Sequence, residues 1–102
     1  MIYPEFKEWL EINSTGYEVF LIKATEYQIE KNMARPSKKR WSDKKINRAV
    51  NEMWKQVVTN AFEQVKNARK TANAGMKTWQ QFLNEIEFVE SFNDGMAEMS
   101  FD

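Results

Sequence analysis

The 102-residue sequence has no cysteine and no histidine, only three glycines and only two prolines. Each shortage excludes something. Without cysteine there is neither a disulfide framework nor a thiolate nucleophile, which fits a reducing compartment. Without histidine the commonest general base is missing, and the loss of both residue types rules out nearly every zinc arrangement. Three scattered glycines make no phosphate-cradling loop. No uncharged apolar run approaches the roughly 18 residues of a membrane span, and the opening MIYPEFKEWLEI carries acids where a signal peptide carries bases. These absences point to a cytoplasmic protein with no membrane association, no cofactor, no metal and no enzymatic activity.

What is present suits a single helical domain over residues 1–102. Apolar residues make up 42% and aromatics 14%, enough to build one core, while 29% charged residues require a well-solvated exterior. The formal net charge of zero conceals a segregation along the chain. Residues 1–30 hold two lysines against six glutamates, a balance of −4; residues 31–70 hold twelve bases against three acids, +9; residues 71–102 hold one lysine against six acids, −5. A basic middle lies between two acidic ends.

The middle is dominated by one stretch, Ser42 to Thr71, in which Ile46, Ala49, Val50, Met53, Trp54, Val57, Ala61, Val65 and Ala68 recur at three- and four-residue steps. That period gathers side chains on one face of an α-helix. Ser42 supplies an N-cap and Asp43 a negative charge for the positive end of the helix dipole, while Asn73, Ala74 and Gly75 supply a C-terminal stop. Before it, Pro4 suits the first turn of a short helix at about 4–12, burying Phe6, Trp9 and Leu10. Thr15 with Glu18 has the form of a capping box for a second helix at about 16–33, whose early turns are apolar nearly all round and expected to be deeply buried. A strand over YEVFLIKA is the poorer reading, because alternation fails at Phe20 and Ile22 and no partner strand is evident. Pro36 breaks the helix, and residues 34–41 form a basic linker. Thr78 with Gln81 resembles another capping box, and Trp79, Phe82, Leu83, Ile86, Val89 and Phe92 make the stripe of a fourth helix at about 76–92, stopped by Asn93, Asp94 and Gly95, with a tail over 93–102. The expected fold is all-α: a small four-helix bundle with one long central helix at about 43–72.

The leading candidate site is a basic surface comprising Arg35, Lys38, Lys39, Arg40, Trp41, Lys44, Lys45, Arg48, Lys55, Lys66 and Lys70. At 100° per residue Arg48, Lys55 and Lys66 share the helix face opposite the apolar one, and cations spaced by turns can follow a run of phosphates and release counterions. A simpler account is a solvated face neutralised by the chain's own acids, since Arg48 with Glu52 and Glu63 with Lys66 stand at helix-neighbour spacings. Trp41 beside Lys38, Lys39 and Arg40 is placed to stack on an unpaired base; a staple contact with Ile46 at the start of the helix is the structural alternative. Trp9, Trp54 and Trp79 sit on apolar stripes and belong to the core.

The acids Glu85, Glu87, Glu90 and Asp94 lie toward the negative end of the fourth helix, so a compensating charge is expected, most simply from the protein's own basic helix. Together with the tail residues Met96, Met99 and Phe101 they form a second candidate surface, for a protein partner. Carboxylate pairs such as Glu5 with Glu8, Glu26 with Glu30 and Glu87 with Glu90 have no facing set and indicate no active site. The favoured function is a small non-enzymatic accessory or subunit that contacts a nucleic-acid backbone. The alternative is a protein-binding inhibitor or adaptor of the phage or mobile-element type, and the third is a structural protein that oligomerises through the long helix.

Overall fold

The computed structural model describes residues 1–72, 75 and 77–101. Among these there are five α-helices and no strand: α1 (Tyr3–Asn13), α2 (Gly16–Met33), α3 (Asp43–Thr71), α4 (Trp79–Glu85) and α5 (Phe88–Glu98), with a 3-10 turn at Ser37–Lys39 inside the basic linker. The bundle is drawn out, 56 × 24 × 22 Å, with a radius of gyration of 16.3 Å against about 13 Å for a compact chain of this length. The cause is α3. Its 29 residues rise about 44 Å, and the other helices cover it in relay.

That relay explains which α3 residues are buried. Ile46, Val50, Trp54, Val58 and Phe62, four apart, form a buried row joined by Ala61 and Val65. Four residues overshoot a full turn by about 40°, so the row winds across the helix. Toward the N-terminus it faces α2, where Tyr17 and Phe20 pack on Trp54 with ring centroids 4.7 and 5.4 Å apart. Toward the C-terminus it faces α1, where Phe6 meets Phe62 at 5.3 Å and the Tyr3 hydroxyl donates to the Lys55 carbonyl. Val58 and Phe62, absent from the apolar stripe read from sequence, are core residues for this reason.

The local signals were honoured in part. Ser42 Oγ accepts from the Lys45 amide at 3.2 Å, capping α3, and Thr78 with Gln81 forms the reciprocal capping box of α4. Thr15 and Glu18 form no such box. Thr15 already has helical torsions and its side chain makes no cap, and the first amide of α2, on Gly16, instead donates to Asn93 Oδ1 of α5 at 2.9 Å. The C-terminal cap of α3 is Ala72, whose amide donates to Ala68 and Lys70 carbonyls. Gly75 does not take left-handed torsions, and Asn73, Ala74 and Met76 lie outside the described residues.

The largest departure is the expected helix at about 76–92, which is divided. Glu87 adopts φ 52° and ψ 44°, the left-handed region, and α5 then continues through Asn93, Asp94 and Gly95 to Glu98. At 100° per residue, Phe88 of a straight helix would point away from Trp79, Phe82 and Leu83, and Phe92, counted in their stripe from sequence, would lie beyond its edge. The turn at Glu87 brings them inward: Phe88 packs on Phe6 and Trp9, and Phe92 on Trp54. Ile86 is left exposed at the corner.

α5 lies along α2 so closely that a Cβ on Gly16 would stand 2.9 Å from Met96 Cγ and from the Phe92 ring. With α3 on one side of α2 and α5 on another, the third side is open. Ile22, Ile29 and Met33 are therefore exposed, at 60%, 47% and 65%, and the all-round burial expected of this helix is confined to Phe20, Ala24 and their neighbours. One polar junction ties α1 to the row. Glu11 Oε2 accepts from both Trp54 Nε1 (2.7 Å) and Lys7 Nζ (2.6 Å). The hydrogen bond to Glu11 raises the Lys7 pKa above the usual lysine value, outweighing the opposing effect of partial burial.

Candidate nucleic-acid interface

The linker closes α2 and α3 into a helical hairpin, and its tip concentrates the positive charge. Residues 31–48 contain eight cations, Lys31, Arg35, Lys38, Lys39, Arg40, Lys44, Lys45 and Arg48, and a single acid, Asp43. The ion pairs among the described residues are Lys7–Glu11, Lys55–Glu52, Lys66–Glu63 and Lys77–Glu85. None involves the tip.

The tip is built by side chains that hold the turn shut. Asn32, in the last turn of α2, accepts from the Trp41 amide at 2.7 Å and donates to the Trp41 carbonyl at 3.1 Å. Arg40 donates to the Met33 and Arg35 carbonyls, which the end of α2 would otherwise leave unpaired. Arg35 donates to Asn32 Oδ1, and its guanidinium lies over the Trp41 ring, 4.0 Å from the centroid. Lys45 lies over the same ring at 4.7 Å. Arg40 and Arg35 thus have structural duties. Lys38, Lys39, Lys44 and Arg48 are exposed and have no partner among the described residues.

The remaining members of the expected strip are spread along α3. Arg48 does not pair with Glu52, because Glu52 turns the other way to Lys55 at 3.2 Å. Lys66 pairs with Glu63 at 3.5 Å and lies over the Phe62 ring. These pairs are about half exposed on both sides, where an ion pair contributes about 0.3–0.5 kcal/mol, so a phosphate competes with them readily. Lys70 is exposed, about 33 Å along the axis from Arg48. The structure gathers Arg35, Lys38, Lys39, Arg40, Trp41, Lys44, Lys45 and Arg48 at one end and leaves Lys55, Lys66 and Lys70 as a separate, partly compensated line.

Against the tip lies a shallow cavity of about 200 Å³ lined by Trp41, Lys45, Arg48, Ala49 and Glu52. Ala49 was read from sequence as part of the apolar stripe and Glu52 as an ion-pair partner of Arg48, neither as a site residue, although Lys45, Ala49 and Glu52 have the four- and three-residue spacing of one helix face.

The second candidate surface is largely consumed by the fold. Met96 is buried, Met99 and Phe101 are packed on the core, and Phe101 meets Phe20 and Tyr27 at 5.8 and 5.2 Å. The compensation expected for the acidic helix comes from α2 and not from the basic helix. Lys23 Nζ donates to the Met96, Ala97 and Met99 carbonyls at 3.0, 2.6 and 2.9 Å, placing a cation on the negative end of α5. Glu85 pairs with Lys77, while Glu87, Glu90 and Asp94 have no ion-pair partner among the described residues. Lys23→Met keeps the aliphatic stem and removes the charge; it is expected to cost about 1–2 kcal/mol, measured by urea unfolding, with faster amide exchange at the end of α5.

Among the described residues no group of three or more potential metal-ligating side chains comes together, and no helix is long and apolar enough to cross a membrane. Comparison of the chain with protein-family models, curated proteins and solved structures found no match.

Proposed function

We propose that the protein is a non-enzymatic accessory or subunit that binds a nucleic-acid backbone through the basic tip of the α2–α3 hairpin, with the outer face of α3 extending the contact. The observation that carries this reading is the tip's eight cations against one carboxylate, none of the cations ion-paired among the described residues. Four cations there, Lys38, Lys39, Lys44 and Arg48, have no partner among the described residues. Polar self-neutralisation, which would make the strip an ordinary solvated face, operates only further along α3 and weakly. The adaptor reading rests on a different surface, the exposed Ile22, Ile29 and Met33 of α2.

The test is the salt dependence of binding to labelled oligonucleotides. If the four unpartnered cations each neutralise one phosphate, log K falls against log salt with a slope of about 3 to 4 on duplex DNA, and Lys44→Gln or Arg48→Gln each flattens it by about one. Arg40 is unsuitable for this purpose because it caps α2. No binding at low salt would defeat the proposal and leave the α2 surface as the site to pursue.

A further inference from the structure

We infer that the cavity beside Trp41 is a subsite for an unpaired nucleobase, so that the ligand of the basic tip is single-stranded nucleic acid. The inference rests on the backbone-binding reading and adds the class of strand. Its first support is that the Trp41 ring is fixed before any ligand arrives. Asn32 holds both the amide and the carbonyl of Trp41, and the Arg35 guanidinium covers the ring at 4.0 Å. Arg35 is not among the residues that line the cavity. The face toward the cavity is covered by Lys45, a long, exposed arm.

The second support is the chemistry of the lining. The cavity is lined by Trp41, Lys45, Arg48, Ala49 and Glu52, which bring an aromatic ring, a methyl group and two long aliphatic stems together with two cationic heads. A flat ring with a phosphate attached matches that combination. Base–aromatic stacking is stronger than an exposed contact between an ammonium and a ring. An entering base therefore displaces the Lys45 ammonium, which is then available for the adjoining phosphate together with Arg48. Paired bases inside a duplex present no free face and gain nothing from the cavity.

Three probes of equal length test this at one salt concentration: a mixed-sequence DNA strand, the same strand made abasic throughout, and the duplex. The intact strand is expected to bind about tenfold or more tighter than the abasic strand. Trp41→Leu should abolish that difference while leaving abasic affinity and the salt slope unchanged, and Trp41→Phe should retain part of it. Equal affinity for intact and abasic strands would overturn the subsite and leave backbone binding standing. An equal loss on both strands in Trp41→Leu would also overturn it, showing that the ring only shapes the tip. Failure of all three probes to bind would instead remove the backbone reading on which the inference rests.

Discussion

Trp54→Ala is expected to lower folding stability by about 3–5 kcal/mol, a large share of the roughly 5–15 kcal/mol that holds a domain together. Trp54 is 2% exposed and lies where four helices meet. From α3 it reaches Tyr17 and Phe20 of α2 and Phe92 of α5, and its indole N–H donates to Glu11 of α1. Alanine leaves a cavity whose walls belong to different helices, none of which can close it without separating from another neighbour. Thermal unfolding followed by circular dichroism should show a midpoint lower by about 15 °C or more. Trp54→Phe separates the two contributions: it keeps most of the apolar contact and gives up the hydrogen bond, so its cost should be well under half. A loss below about 2 kcal/mol for alanine would contradict the packing that places this ring at the junction.

The long helix was legible in the sequence because its signals are local. The Ser42 cap, the 29-residue apolar period and the hydrophilic outer face all concern neighbours within one or two turns. What a stripe alone does not contain is its drift. Val58 and Phe62 are buried because α2 gives way to α1 along the length of α3, and that exchange of partners is tertiary. The division between α4 and α5 was hidden for a similar reason. No glycine, proline or asparagine marks Ile86 or Glu87, and a glutamate in left-handed torsions goes against backbone preference by about 1 kcal/mol or more. Phe88 facing the wrong side of a straight helix was the available clue.

The candidate interface divides along the same line. Its charge could be counted directly, since the cations are contiguous in sequence. The setting of Trp41 could not, because Asn32 at the end of α2 and Arg35 at the start of the linker reach it only when the hairpin closes. The placement of the acids followed from the same closure of distant parts. The ammonium that answers the α5 dipole is Lys23, 73 positions or more from the carbonyls it binds, in the acidic first third of the chain. With that task met by α2, the cations of the hairpin tip are paired with no acid among the described residues.

Asn93→Ala should be the most damaging polar substitution, costing about 2–3 kcal/mol in urea unfolding. Sequence logic places Asn93 in a helix stop, yet it sits inside α5 with its side-chain oxygen turned outward to the turn before α2. Oδ1 accepts from Ser14 Oγ at 3.1 Å and from the Gly16 amide at 2.9 Å, and Ser14 and Gly16 are both buried. Alanine strands two donors where the close approach of α2 and α5 leaves little room for a replacement water. Asn93→Asp keeps the acceptors and puts a negative charge at the positive end of α2, so it should lose far less stability than alanine. The Gly16 amide offers a direct readout: its hydrogen exchange should accelerate in Asn93→Ala and stay slow in Asn93→Asp. Equal losses in both variants would mean that the amide nitrogen of Asn93, and not its oxygen, matters, and the start of α2 would need another explanation.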